Sequence, residues 1–206
     1  MVRPLLILST FGLASAQATY LNQSAPFNLV LTSANSTFNG VKLQACHSGA
    51  AVESFCVGQT SSDPMFQTFF FNGSSEPPQD ASHLPTGLLT WTFTGGVPVF
   101  TSSTAMTFFY NQASNLAFPL IWPSQDNALP ISFTEEDGLL AVGVNINDAL
   151  SPPQPYEDYI AYLTGRWAIC KTYWQGYGYE ALQWVLGDQE PQNPSCQRVT
   201  VKRVWV

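Results

Sequence analysis

FNLVLTSANSTFNGVKLQAC, residues 27–46, decides the fold. Phe27, Leu29 and Leu31 alternate with Asn28 and Thr32, and Val41, Leu43 and Ala45 alternate with Lys42 and Gln44. A period of two places apolar side chains on one face of an extended strand and polar ones on the other. Between the runs, Asn39-Gly40 supplies two residues that tolerate positive φ, a strong short-range signal for a hairpin. The stretch therefore reads as two antiparallel strands with one dry face and one wet face.

The same grammar runs outward in both directions. Short apolar or alternating segments, punctuated by Gly, Pro, Asn and Asp, predict about twelve strands. They fall near 27–32, 41–46, 52–57, 66–71, 88–94, 105–110, 117–122, 129–134, 139–144, 166–174, 179–186 and 197–205. Asp137-Gly138 marks a second tight hairpin, and the last strand sets Val199 and Val201 against Arg198, Thr200 and Lys202. NGSSEPPQDASHLPTG (72–87) reads as a polar loop. Helical spacing occurs in SPPQPYEDYIAYLTG (151–165), where Tyr156, Tyr159, Ile160 and Leu163 predict one or two helical turns packed on the sheet. The expected fold is all-β and disulfide-stabilised. A β-trefoil divides the strands into three sets of four near Leu88 and Leu139, and a β-sandwich is the alternative.

The chain begins MVRPLLILSTFGLASAQA, with one cation at Arg3, a short apolar run and Ala-x-Ala steps at Ala14-Ser15-Ala16 and Ala16-Gln17-Ala18. That layout predicts a secretory signal peptide over residues 1–18 and a single secreted domain over 19–206. No other run has the length and uniform apolarity of a membrane span. Asn22, Asn35 and Asn72 each open an Asn-x-Ser/Thr site, and in an exported chain these are expected glycosylation sites. Four cysteines permit three pairings. Nearest-neighbour pairing joins Cys46 to Cys56 and Cys170 to Cys196, closing loops worth about 3 and 3.5 kcal/mol through chain entropy.

Only 10% of the residues are charged and the net charge is −7, so nucleic acid and anionic membranes are excluded as expected partners. No nucleophile elbow, zinc-protease helix, phosphate loop or dinucleotide fingerprint is present. His47 adjoins Cys46, and His83 lies in the polar loop. Glu135, Glu136 and Asp137 form a hairpin tip, and Asp148, Glu157 and Asp158 have no identifiable acid to pair with across a glycosidase cleft. No catalytic residue, cofactor or metal site is expected, and the chain reads as a non-enzyme, with a carbohydrate-binding, lectin-like module as the alternative and a secreted glycoside hydrolase with unidentified carboxylates as the third reading.

WQGYGYEALQW, residues 174–184, concentrates aromatic side chains between Cys170 and Cys196. Alternation assigns Trp167, Ile169 and Tyr173 to one strand face, and Leu182, Trp184 and Leu186 to one face of the next strand. Trp167 and Trp184 are therefore expected in the core. Trp174, Tyr177 and Tyr179 surround the Gly-rich bend and are the candidate carbohydrate contacts, because flat rings at a loop tip stack on apolar sugar faces.

From PFNLVLTSANSTFNGVKLQACHSGAAVESFCVG through TEEDGLLAVG, RWAIC, YEALQWVLGD and NPSCQRVTVKRV, nearly the whole mature chain resembles a family of small secreted fungal proteins of unknown function. More distantly it is similar to phialide-type and Pir-type cell-wall proteins. The cysteine spacing differs from the Pir pattern, and the Gln-containing repeats used for covalent glucan attachment are missing. The resemblance implies a secreted, extracellular or wall-associated role, with cell-wall polysaccharide as the partner class, and supplies no catalytic residues.

Overall fold

The computed structural model describes residues 20–58, 61–75, 84–147, 150–155 and 162–206. The expected signal peptide, His83, Asp148, Glu157, Asp158 and Tyr156 to Ile160 of the expected helix lie outside the described residues.

In chain order the strands are β1 (Asn22–Gln23), β2 (Phe27–Thr32), β3 (Gln44–Gly49), β4 (Val52–Val57), β5 (Phe70–Gly73), β6 (Gly87–Gly95), β7 (Phe100–Tyr110), β8 (Leu116–Trp122) and β9 (Pro130–Phe133). They continue as β10 (Leu140–Val144), β11 (Ile146–Asn147), β12 (Gln154–Pro155), β13 (Tyr162–Thr164), β14 (Trp167–Trp174), β15 (Tyr177–Val185), β16 (Gln197–Arg198) and β17 (Thr200–Trp205). There is no α-helix among the described residues. Every strand expected from sequence overlaps an observed one. The hairpin read first is present, with Gly40 at φ 80° and the Val30–Lys42 bridge joining its arms.

Six strands form a closed circuit. β17 pairs with β2 along its length, and a Phe27–Phe69 bridge links β2 to the start of β5. β5 pairs with β6, β6 with β9, and β9 with β10. A Leu139–Lys202 bridge returns the path to β17. Closing the circuit leaves no open edge on these strands, which removes the usual template for edge-to-edge aggregation.

Three hairpins, β3–β4, β7–β8 and β14–β15, accompany this ring. Their second strands pair with one another in a cycle: Glu53 and Ser54 with Ile121 and Leu120, Leu116 and Ala117 with Val185 and Trp184, and Glu180 and Ala181 with Val57 and Cys56. Each third of the chain, divided near Leu88 and Leu139, thus contributes two ring strands and one hairpin.

The core gathers inward residues from both parts, including Phe27, Leu29, Leu31, Phe55, Phe69 and Val201. Trp167 and Trp184 are 1% and 4% exposed and face each other across the β14–β15 ladder, ring centres 4.8 Å apart. The Trp167 indole N–H donates to the Leu140 carbonyl oxygen at 2.9 Å, so its one polar atom is satisfied in the interior. Both disulfides join the expected partners: Cys46–Cys56 within the first hairpin, and Cys170–Cys196 between the third hairpin and the segment before β16.

Two local expectations are corrected. Tyr162–Thr164, at the end of the stretch expected to be helical, is a strand paired with Val142–Val144, so the ladder overrides local helical spacing at Leu163. The start of the strand expected at 66–71 is instead a 3₁₀ turn, Pro64–Gln67, whose N-cap Asp63 accepts a hydrogen bond from the Met65 N–H at 2.9 Å.

Candidate functional site

The third hairpin turns through Gln175 and Gly176, both at positive φ (46° and 96°), as a tight two-residue hairpin requires. Across its ladder Trp174 faces Tyr177 and Thr172 faces Tyr179. Cross-strand partners point to the same side, so Trp174, Tyr177 and Tyr179 share one face, as an aromatic platform needs.

Neighbouring elements occupy much of that face. The Trp174 ring lies 5.3 Å from Phe109 and 5.4 Å from Phe118, and Phe109 in turn meets Trp122 at 5.0 Å. The Trp174 indole N–H is buried without a hydrogen-bond partner. Tyr179 donates from its hydroxyl to the His47 carbonyl oxygen at 2.7 Å and packs against the Cys46–Cys56 cluster. Tyr177 meets the His47 ring edge-on at 5.1 Å. All three candidates are half-buried rather than open. The exposed ring is Tyr173, 74% accessible, which sequence alternation had assigned to the core face. The correction has a simple cause: the hairpin tip extends past the core, and Tyr173 faces Gly178, which offers no side chain to cover it.

Glu53 lies beside this face. Its cross-strand partner is His47, whose Nδ1 is 3.8 Å from one carboxyl oxygen, while the other oxygen is buried with no partner. Burial pushes the Glu53 carboxyl up from its ordinary 4.5 to about 7. The Tyr179 hydroxyl is also raised, first by burial and then by the nearby Glu53 and Tyr177 charges.

Sequence reading did not single out a second aromatic group, on the ring. In β17, Val201, Arg203 and Trp205 pair with Leu31, Leu29 and Phe27 of β2, all three of which are core residues. Alternate residues share a face, so Arg203 occupies an inward register between a buried valine and a tryptophan. Its guanidinium carbon lies 4.3 Å from the Phe133 ring centre, 4.5 Å from Trp205 and 5.8 Å from Phe27. Phe133 is braced edge-on by Phe27 at 5.4 Å and Phe71 at 5.7 Å. Burial holds the Arg203 pKa below its ordinary value. Among the described residues no carboxylate forms an ion pair with this guanidinium. A cavity of about 210 Å³ opens beside it, lined by Phe71, Pro85, Phe133, Thr134, Glu135 and Arg203. The legible signal was phase: Arg203 falls on the apolar beat set by Val199 and Val201.

A larger hollow of about 380 Å³ includes Arg198, but that guanidinium is already engaged by the Gln189 carbonyl oxygen at 2.8 Å and by Glu190 at 3.6 Å. Among the described residues no group of three or more His, Cys, Asp or Glu side chains is arranged to hold a metal ion. Glu135, Glu136 and Asp137 form an exposed turn, with Gly138 at φ 63°.

The three glycosylation candidates differ in access. Asn22 is exposed. Asn35 is half-buried, accepting from the Thr37 N–H at 2.9 Å and donating to the Gln197 side chain. Asn72, expected at the mouth of a polar loop, lies within β5 at 7% exposure and accepts from the Thr90 hydroxyl at 3.1 Å. The strand continues farther than the loop composition indicates.

Fold and sites together define an all-β domain with two disulfides and aromatic clusters on both its ring and its third hairpin. Residues 24–205 match a family described as a domain of unknown function, DUF7907, and the chain belongs to that family. No curated protein and no solved structure matches it. No helix of the described residues is long and apolar enough to cross a membrane.

Proposed function

We propose that the chain is a secreted, non-enzymatic protein of the fungal cell wall or its surroundings, exported by residues 1–18, and that its ring with three mutually paired hairpins is a β-trefoil. The observation that carries the extracellular reading is the pair of disulfides, which consume all four cysteines. Such bonds persist in oxidising compartments and are rare where glutathione keeps thiols reduced. Two supports come from the sequence: the signal-peptide layout and the resemblance to secreted fungal and wall proteins. The trefoil reading is supported by the closed pairing circuit and by the cyclic pairing of β4, β8 and β15.

Expression of the full chain in a filamentous fungus, followed by fractionation of medium, wall and cytosol with N-terminal sequencing, tests the reading. The expected product lies in medium or wall, begins at Gln17 or Thr19 and contains no free thiol. A cytosolic product retaining residues 1–18 would contradict it.

A second reading is polysaccharide contact through the third hairpin. It is favoured by the register that sets Trp174, Tyr177 and Tyr179 on one face of the third hairpin. Retention on chitin, β-glucan or mannan, lost in a folded Tyr177→Ala variant, is the expected result. Unchanged retention would remove this face from consideration.

A further inference from the structure

Arg203 poses a problem that packing alone does not answer. Arg203 is half-buried, and partial removal of a charged group from water carries a cost that pairing or hydrogen bonding would offset. Here the inward register places a guanidinium against Phe133 and Trp205, with no ion-pair partner among the described residues. The rings attract its charge by cation–π contact, which does not satisfy its N–H donors. Glu135 lines the same cavity without closing to ion-pair distance, leaving donors and acceptors facing a shared space.

We propose that this ring-mouth cavity is a binding site for a neutral polyhydroxyl ring, a single sugar unit or the end of a sugar chain. A hydroxyl accepts from the Arg203 fork with its lone pairs and donates its proton to the Glu135 carboxylate, so adjacent hydroxyls satisfy both groups at once. Phe71 and Pro85 supply apolar wall for the C–H face of the ring. The volume, about 210 Å³, is below the roughly 300–1,000 Å³ of sites for drug-sized ligands and fits a small unit. A free carboxylate or sulfate fits less well, although an arginine fork matches one geometrically. Glu135 repels it inside the cavity, and a chain of net charge −7 repels it on approach. The site is separate from the third-hairpin face and does not depend on the protein residing in the wall.

Titration of isotope-labelled protein with glucose, mannose, N-acetylglucosamine and their disaccharides, and with acetate and sulfate, tests the assignment. The readouts are the Arg203 side-chain N–H and Trp205 indole N–H resonances. At least one neutral sugar is expected to produce a saturable shift at both. Glu135→Gln, in an exposed turn where folding is not at stake, and Arg203→Lys, which keeps the charge but loses the fork, should each weaken binding about tenfold or more. Because both readouts sit at the ring mouth, failure of this site is separated from failure of the hairpin-face reading, which retention on polysaccharide reports. Acetate or sulfate binding that strengthens in Glu135→Gln would overturn the proposal in favour of an anion site. The absence of a saturable shift with every sugar would overturn it outright.

Discussion

At the base of the third hairpin, Trp167 and Trp184 meet ring to ring in a dry interior, and the Trp167 N–H is satisfied by a backbone carbonyl. At the ring mouth, the buried Phe133 and the exposed Trp205 flank a half-buried cation instead of each other. The ingredients are similar: inward strand positions, aromatic rings and neighbours braced edge-on. One inward residue separates the two outcomes. Where alternation continues as apolar, rings close a core. Where it continues as Arg203, the same packing leaves a charged group bordering a cavity. Aromatic density alone therefore does not mark a binding surface, whereas a charge in apolar phase distinguishes one cluster from the other.

The largest expected effect breaks the first half of this comparison. Trp184→Ala should cost about 3–5 kcal/mol in equilibrium denaturation, the range for truncating a buried aromatic. A loss under about 1 kcal/mol would mean that the hairpin base is not core.

Glu53 gives a smaller effect with a defined direction. Its folded-state pKa is raised to about 7 by burial, so folding disfavours the ionised form. The unfolded chain releases this proton near its ordinary 4.5 and the folded chain near 7, so the Glu53 contribution to stability is fully present below about 4.5 and is lost as pH rises towards 7. Glu53→Gln should flatten the fall and stabilise the protein at pH 8 by about 1–3 kcal/mol, since it removes a buried charge with an unpartnered oxygen. Urea melts of both proteins from pH 4 to pH 8 check the sign. A wild type that gains stability across this window from a Glu53-dependent contribution would contradict the account.

A finer contrast lies within the third hairpin. Tyr173→Ala, at an exposed ring, should change stability by no more than about 0.5 kcal/mol. Trp174→Ala should cost measurably more, because Phe109 and Phe118 lose a packed neighbour. Thermal melts of the two variants rank them, and a reversed order would restore Trp174 as the open ring.

Much of the fold was legible because strand alternation and turn chemistry are local. Asn39-Gly40 and Asp137-Gly138 each carry their geometry in two residues, and nearest-neighbour pairing of four cysteines happened to match proximity in space. The exchange between Tyr173 and Trp174 was not legible. What covers Trp174 is a pair of phenylalanines from the second hairpin, and what uncovers Tyr173 is the end of the core. Asn72 was misplaced because loop composition begins before the strand ends. Tyr162–Thr164 was misplaced because its ladder partner, β10, is distant in sequence. Arg203 was visible as a break in an alternating pattern, but the rings that make it informative come from β2, β5 and β9.

The measurement that bears most directly on the contrast between the two aromatic clusters is the stability of Arg203→Met. Methionine keeps the unbranched stem and removes the charge. If the guanidinium is held for a ligand, removing it relieves desolvation and offsets the lost cation–π contact, so the variant should lie within about 1 kcal/mol of wild type or be more stable. A loss of about 3 kcal/mol or more would show that Arg203 braces the ring, and that the two aromatic clusters serve the same purpose after all.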